Sequence, residues 1–253
     1  MNKLRNILIL LLVFCVWGML YLFVLNKEKG NVSSLDSQYI LIDPFSCWEY
    51  SSSKWNRLSF LDDKIEVSKL INWKKYDIYV NNQYYNTLQY VVKDGEEFYF
   101  DDDTHSYEIN SSKIMFNKGS YFKVKEFSLS NLSSDDEKVI NNMLEKYNFV
   151  DKNITISNKY YIDENNSIYV VSNYTGIYSV DSKGLFYLIF YKSKYRTYLL
   201  LKTGYKENVA DYKLSWVIDT KSKFYNFVVS AQCEQSMCYW LYGYQKGKYV
   251  ELG

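Results

Sequence analysis

The sequence predicts a mainly β protein, with an N-terminal transmembrane helix, antiparallel β modules after it, and one amphipathic helix near residues 135–147. Three observations lead there. Aromatic residues make up 19% of the 253-residue chain, including 28 Tyr, against ten Gly and one Pro, and Tyr, Phe, Val and Ile suit pleated, half-buried strands. Short alternating runs follow one another from residue 76, separated by Asn, Asp, Gly and Ser clusters, as in hairpins and meanders. Residues 7–25 form an unbroken 19-residue apolar run.

At helical rise that run spans about 28 Å, close to the hydrocarbon thickness of a bilayer. An uncleaved anchor is expected over 7–25, because Leu22, Phe23, Val24 and Leu25 run straight into Asn26 and Lys27 without the small residues of a cleavage site. A cleaved signal peptide is the alternative. Lys3 and Arg5 precede the run and Lys27 and Lys29 follow it. The terminal amine and Glu28 then tip the positive-inside balance, which leaves residues 1–6 as a cytoplasmic tail. Residues 26–37 are polar and without period, a tether. The expected location is therefore a membrane anchor with the bulk of the chain extracytoplasmic, in a bacterial periplasm or at the cell surface.

A first β module is expected over 38–132, with strands at 76–80, 87–93, 96–101, 106–109, 113–117 and 121–129. A connecting helix follows within 133–148. Val139, Ile140, Met143, Leu144 and Tyr147 recur at helical spacing behind Ser134 and Glu137, which read as a capping box. Asp135 and Asp136 suit the positive end of the helix dipole.

The second β module, 149–253, repeats itself. Ile162-Asp163 leads through a polar turn to Val170-Val171-Ser172, as Ile218-Asp219 leads to Val228-Val229-Ser230. Tyr187 to Tyr191 precede Lys194-Tyr195, as Tyr239 to Tyr242 precede Lys248-Tyr249. The two Asp positions are 56 residues apart (219 less 163), a period that belongs to β units packing on copies of themselves. Over residues 158–252 these units resemble degenerate FG-GAP or VCBS repeats of bacterial surface proteins. The resemblance implies propeller-like blades in the C-terminal half and a calcium-binding turn before an apolar strand. Asp163, Asn165 and Ser167 keep alternating oxygen donors, but the family's Gly and later acidic residue are missing. The second turn, Asp219-Thr220-Lys221-Ser222-Lys223, places ammonium groups among the ligand positions, whereas calcium takes six to eight oxygens. Ordinary hairpin turns are the competing reading, and no cofactor is expected beyond calcium at the first turn.

Cys233 and Cys238 flank a four-residue loop between two apolar strands. Outside the cytoplasm they are expected to close a structural disulfide worth about 2 kcal/mol, with free thiols the alternative; paired cysteines in this loop also resemble exported members of the repeat class. Cys47 is left over, either buried and free or linked to another chain. The single histidine, His105, lies near an expected hairpin turn, so Ser-His-Asp and Cys-His chemistry have nothing else to build on. No Gly-rich phosphate loop occurs. Lys and Arg number 30 against 29 Asp and Glu, a net charge of +1, which gives no overall field for gathering nucleic acid. Trp48, Trp55 and Trp73 are candidate ligand-stacking residues, with core packing as the competing explanation.

Together these observations suggest a non-enzymatic envelope binding or interaction module, membrane-bound through 7–25, with an envelope protein or glycan as its partner. An immunity-type inhibitor of a secreted toxin is a second reading. A carbohydrate-binding or carbohydrate-active protein is a third, which needs a groove lined by Trp and, for catalysis, two carboxyl groups about 5–10 Å apart.

Overall fold

The computed structural model describes residues 38–43, 46–51, 54–58, 70–93, 96–101, 105–149, 156–172, 186–204, 210–233 and 236–252. The anchor and tether expected over 7–37 lie outside them. Among the described residues no helix is long and apolar enough to cross a membrane. Antiparallel strands dominate, and they form three sheets.

The first sheet holds β1 (Gln38–Asp43), β2 (Ser46–Ser51), β3 (Lys54–Leu58), β4 (Lys74–Val80), β5 (Gln83–Lys93), β6 (Glu96–Asp101), β7 (His105–Tyr107) and β8 (Lys113–Asn117), in the order β3-β2-β1-β8-β4-β5-β6-β7. Two very short strands follow, β9 (Lys123–Lys125) and β10 (Ser128–Ser130), and then helix α1 (Ser134–Lys146). The second sheet contains the first repeat as a meander of β11 (Ile156–Asp163), β12 (Asn166–Ser172), β13 (Phe186–Lys192) and β14 (Thr197–Gly204). The third contains the second repeat as β15 (Ala210–Asp219), β16 (Asn226–Gln232), β17 (Met237–Gln245) and β18 (Lys248–Glu251). Strand, Asp-bearing turn, strand, aromatic strand and strand thus recur in both.

The segment expected as one strand at 121–129 is instead two strands in different sheets. β9 pairs with β15 and β10 pairs with β11, so the first strand of each repeat gains an outer neighbour. Residues 123–130 thereby tie both repeat sheets together, a long-range pairing that a local alternation pattern does not encode.

The third sheet is the middle layer. On β16, Phe227, Val229 and Ala231 face the second sheet with Ile168, Val170, Ile189 and Tyr191. Val228, between them, faces the first sheet with Ile40, Ile114 and Phe116. A bulge between Leu214 and Trp216 lets β15 serve both sides, sending Leu214 to one core and Trp216 to the other. Such double burial explains the near-continuous apolar run of β16, each fully buried side chain contributing about 1.5–3 kcal/mol. The outer face of the second sheet is covered by α1, whose Ile140, Met143 and Leu144 pack on Tyr169, Val171, Leu188 and Phe190. The first sheet also carries a further cluster that includes Leu41, Cys47, Tyr76, Leu88, Tyr90 and Tyr99. Among the described residues the sheets therefore stack as layers under a helix, and no closed ring of propeller blades is formed.

The helix begins one residue earlier than the expected capping box. Ser133 is the N-cap, in extended conformation, and its partner is Asp136 rather than Glu137. The run Ser133-Ser134-Asp135-Asp136-Glu137 contains two boxes offset by one. The first prevails because it turns Asp136 beneath the helix, where Lys159 Nζ (2.9 Å) and Tyr169 OH (2.5 Å) both donate to it.

Candidate binding site at the turn end of the stacked sheets

The two Asp-bearing turns are local structural devices of the same kind. Asp163 Oδ1 accepts from Asn165 N (2.9 Å), and Asp219 Oδ1 accepts from Lys221 N (2.8 Å), an Asx turn in each repeat. Asp163 also accepts from Asn166 Nδ2 at 2.7 and 2.9 Å and from Tyr225 OH at 3.3 Å. Its carboxylate is thus surrounded by donors. Asn165 Nδ2 is turned to Glu164 (3.2 Å), and Ser167 is buried in β12 at 8% exposure. Among the described residues no group of three His, Cys, Asp or Glu is placed to hold a metal ion.

These turns form one end of the layered stack, and two clefts open there, one on each side of the middle sheet. The cleft toward the first sheet, about 630 Å³, is lined by Tyr50, Lys54, Trp55, Phe122, Thr220, Gln245, Lys246 and Glu251, among others. The cleft toward the second sheet, about 570 Å³, is lined by Asn165, Asn166, Tyr191, Ser193, Lys194, Tyr195, Arg196, Tyr198, Lys223, Phe224 and Tyr244. Tyr244 belongs to both.

The second cleft is built on a fixed aromatic floor. Phe224 and Tyr244 stack with centroids 3.7 Å apart, and Tyr198 meets both edge-on at 6.1 and 5.7 Å. Tyr191 and Tyr249 lie against Tyr198 at 6.0 and 5.6 Å. Tyr191 OH donates to Asn166 Oδ1, and Tyr249 OH to the Tyr225 carbonyl (3.0 Å). Burial, then the neighbouring Asp163, pushes the Tyr225 hydroxyl up to about 12, so it stays a donor across the joint between the repeats.

The rim is held equally firmly. Ser193 N donates to the Arg196 carbonyl (2.8 Å), while Ser193 Oγ accepts from Arg196 N (3.1 Å). On the facing turn, Thr220 Oγ1 and Ser222 Oγ both donate to the Phe224 carbonyl, at 3.0 and 2.8 Å. Lys194, Arg196 and Lys223 stand on these turns, and none of them is paired with a carboxylate among the described residues. The two repeats differ here in an informative way. β17 and β18 are joined by a two-residue turn, Lys246-Gly247, with both φ positive. β13 and β14 are joined by four residues, 193–196, and the longer turn holds Tyr195 out at 79% exposure. Tyr195 therefore does not correspond to the buried Tyr249; Tyr198, paired with Tyr191 as Tyr249 is with Tyr244, does.

No family model, no curated protein and no solved structure matches the chain.

The three tryptophans have separate fates. Trp48 is a core residue at 1% exposure. Trp55 lines the first cleft, packed against Tyr50 and Phe122 at 5.1 and 5.3 Å. Trp73 is 64% exposed beside Phe100, in a turn outside both clefts. Cys233 and Cys238 stand at disulfide distance, Cα atoms 5.9 Å apart, at the end of the β16–β17 hairpin. Cys47 is buried within the first sheet, where burial raises its thiol far above the usual range. This is the buried, free arrangement of the two expected for it. His105 opens β7 opposite Asp101. Sequence patterns marked Lys194, Tyr195 and Lys223 only as repeat and turn positions and passed over Arg196 and Phe224; these residues lie on turns almost 30 positions apart and meet only because the repeats stack. The signal that bears on them is the extra length of the first repeat's last turn.

Proposed function

We propose that this protein is a membrane-tethered envelope module whose exported β domain binds a ligand at the turn end of its stacked sheets. The observation that carries the proposal is the cleft between the two repeats, where rings, amides and unpaired cations converge on rigid turns. Concave sites with a mostly apolar lining and a few fixed polar groups are where proteins hold ligands. Two features of the chain support the location. The apolar run at 7–25 is long enough to anchor it, and the Cys233–Cys238 geometry suits an oxidising compartment.

Co-sedimentation of the purified full chain, in detergent, with isolated bacterial envelopes tests the proposal. Native protein is expected to sediment with the envelopes, and Tyr195→Ala to reduce retention severalfold without altering the circular dichroism spectrum. Absence of retention, or retention unchanged by Tyr195→Ala, would contradict it.

A further inference from the structure

We infer that the cleft between the two repeat sheets takes an acidic polysaccharide, with sugar faces on Tyr195 and the neighbouring rings and anionic groups on Lys194, Arg196 and Lys223. This assignment rests on the turn-end binding proposal and names its ligand class. The lining contains three cations and no Asp or Glu, and the carboxylates on the adjoining turn are engaged by donors, Asp163 by Asn165, Asn166 and Tyr225 and Glu164 by Asn165. Charge-assisted hydrogen bonds to carboxylate or phosphate are roughly twice as strong as neutral ones, and arginine can make them in pairs.

The rings decide between an acidic glycan and other polyanions. Tyr195 stands out on its turn with Lys194 Nζ 5.6 Å from its ring centroid, so that a ring and a cation lie side by side, and Tyr198, Phe224 and Tyr244 form a floor whose faces and edges suit the C–H-rich faces of pyranose rings. Asn165, whose Nδ2 is turned to Glu164, adds its amide oxygen as an acceptor for hydroxyl groups. A peptide would be favoured by an open strand edge, but the edge strands on this side, β14 and β18, lie against each other. The two clefts also differ in charge: the cleft toward the first sheet sets Lys54 and Lys246 against Glu251, a surplus of one cation against three in the cleft between the repeats, which makes it a poorer home for an anionic chain.

A uronic acid or a phosphodiester can supply the anionic group, and the probes separate the two: polygalacturonate and a phosphodiester-linked hexose polymer, beside fully methyl-esterified polygalacturonate, polyglutamate and a single-stranded oligonucleotide. Binding to the full chain in detergent is measured by calorimetry at 50 and 300 mM salt. At least one acidic polysaccharide is expected to bind at least tenfold more tightly than the esterified polymer, polyglutamate or the oligonucleotide, and more weakly at the higher salt. The Arg196→Ala/Lys223→Ala variant should lose about tenfold and Tyr195→Ala severalfold, both with unchanged circular dichroism. Equal binding of the neutral polymer, of polyglutamate or of the oligonucleotide would overturn the assignment, as would binding indifferent to these substitutions or no binding of either acidic polysaccharide. Envelope sedimentation keeps the two proposals apart. Retention that needs Tyr195 but is not competed by acidic polysaccharide overturns the ligand class alone, whereas no retention removes the binding surface itself.

Discussion

Asp136 shows how one buried carboxylate joins an element to its sheet. It is 3% exposed and accepts hydrogen bonds from Ser133, Lys159 and Tyr169. Burial by itself would raise its pKa, but the bonds from Tyr169, Lys159 and Ser133 outweigh burial and hold it well below the usual carboxylate range. Its folded pKa lies below the unfolded value of about 3.9. The stabilisation is therefore complete above that value and is lost as pH falls from there toward the folded pKa. Asp136→Asn leaves Lys159 buried without its counter-charge and should cost about 3 kcal/mol at pH 7 in urea unfolding. The variant's stability should also fall less steeply than the native protein's below pH 4. A cost under about 0.5 kcal/mol would show that the helix is held by its apolar face alone. The acidic first turn was readable from sequence, but the choice between two overlapping capping boxes was not, because Lys159 and Tyr169 that settle it are 23 and 33 positions away.

At the scale of elements, what is local was legible and what is long-range was not. The helix followed from its apolar period, and the strands at Glu96–Asp101 and Lys113–Asn117 coincide with their alternating runs. The repeat located both Asx turns. The split of 121–129 into β9 and β10 escaped, since each short strand is defined by a partner about 30 to 90 positions later. β17 contains a tight point that packing alone explains. A Cβ on Gly243 would stand 2.6 Å from Leu252 Cδ1 and 2.8 Å from Asn226 Oδ1. Leu252 and Asn226 are both buried, so neither moves aside freely. Gly243→Ala should therefore destabilise by about 1–3 kcal/mol through overpacking. Adding Leu252→Ala should recover part of that loss, a coupling measurable in a double-mutant cycle. Additive effects of the two changes would place the C-terminal residues elsewhere.

On the scale of the whole molecule, the middle sheet is the organising feature. It is buried on both faces, tied to its neighbours by β9 and β10, and its turns form the wall shared by both clefts. Composition announced the β class but not the site, because 28 tyrosines conceal the few that line a cleft and a net charge of +1 conceals a cluster of three cations. Hydrogen exchange followed by mass spectrometry, with and without polygalacturonate or the phosphodiester-linked hexose polymer, addresses layering and binding together. Without ligand, amides of 226–232 and 239–243 should exchange slowest, since opening them requires parting all three sheets. With the polymer that binds, new protection should appear at 193–198 and 220–225 and not at the α1 face. Rapid exchange in β16, or protection confined to residues away from these turns, would contradict the stacked arrangement and its turn-end site.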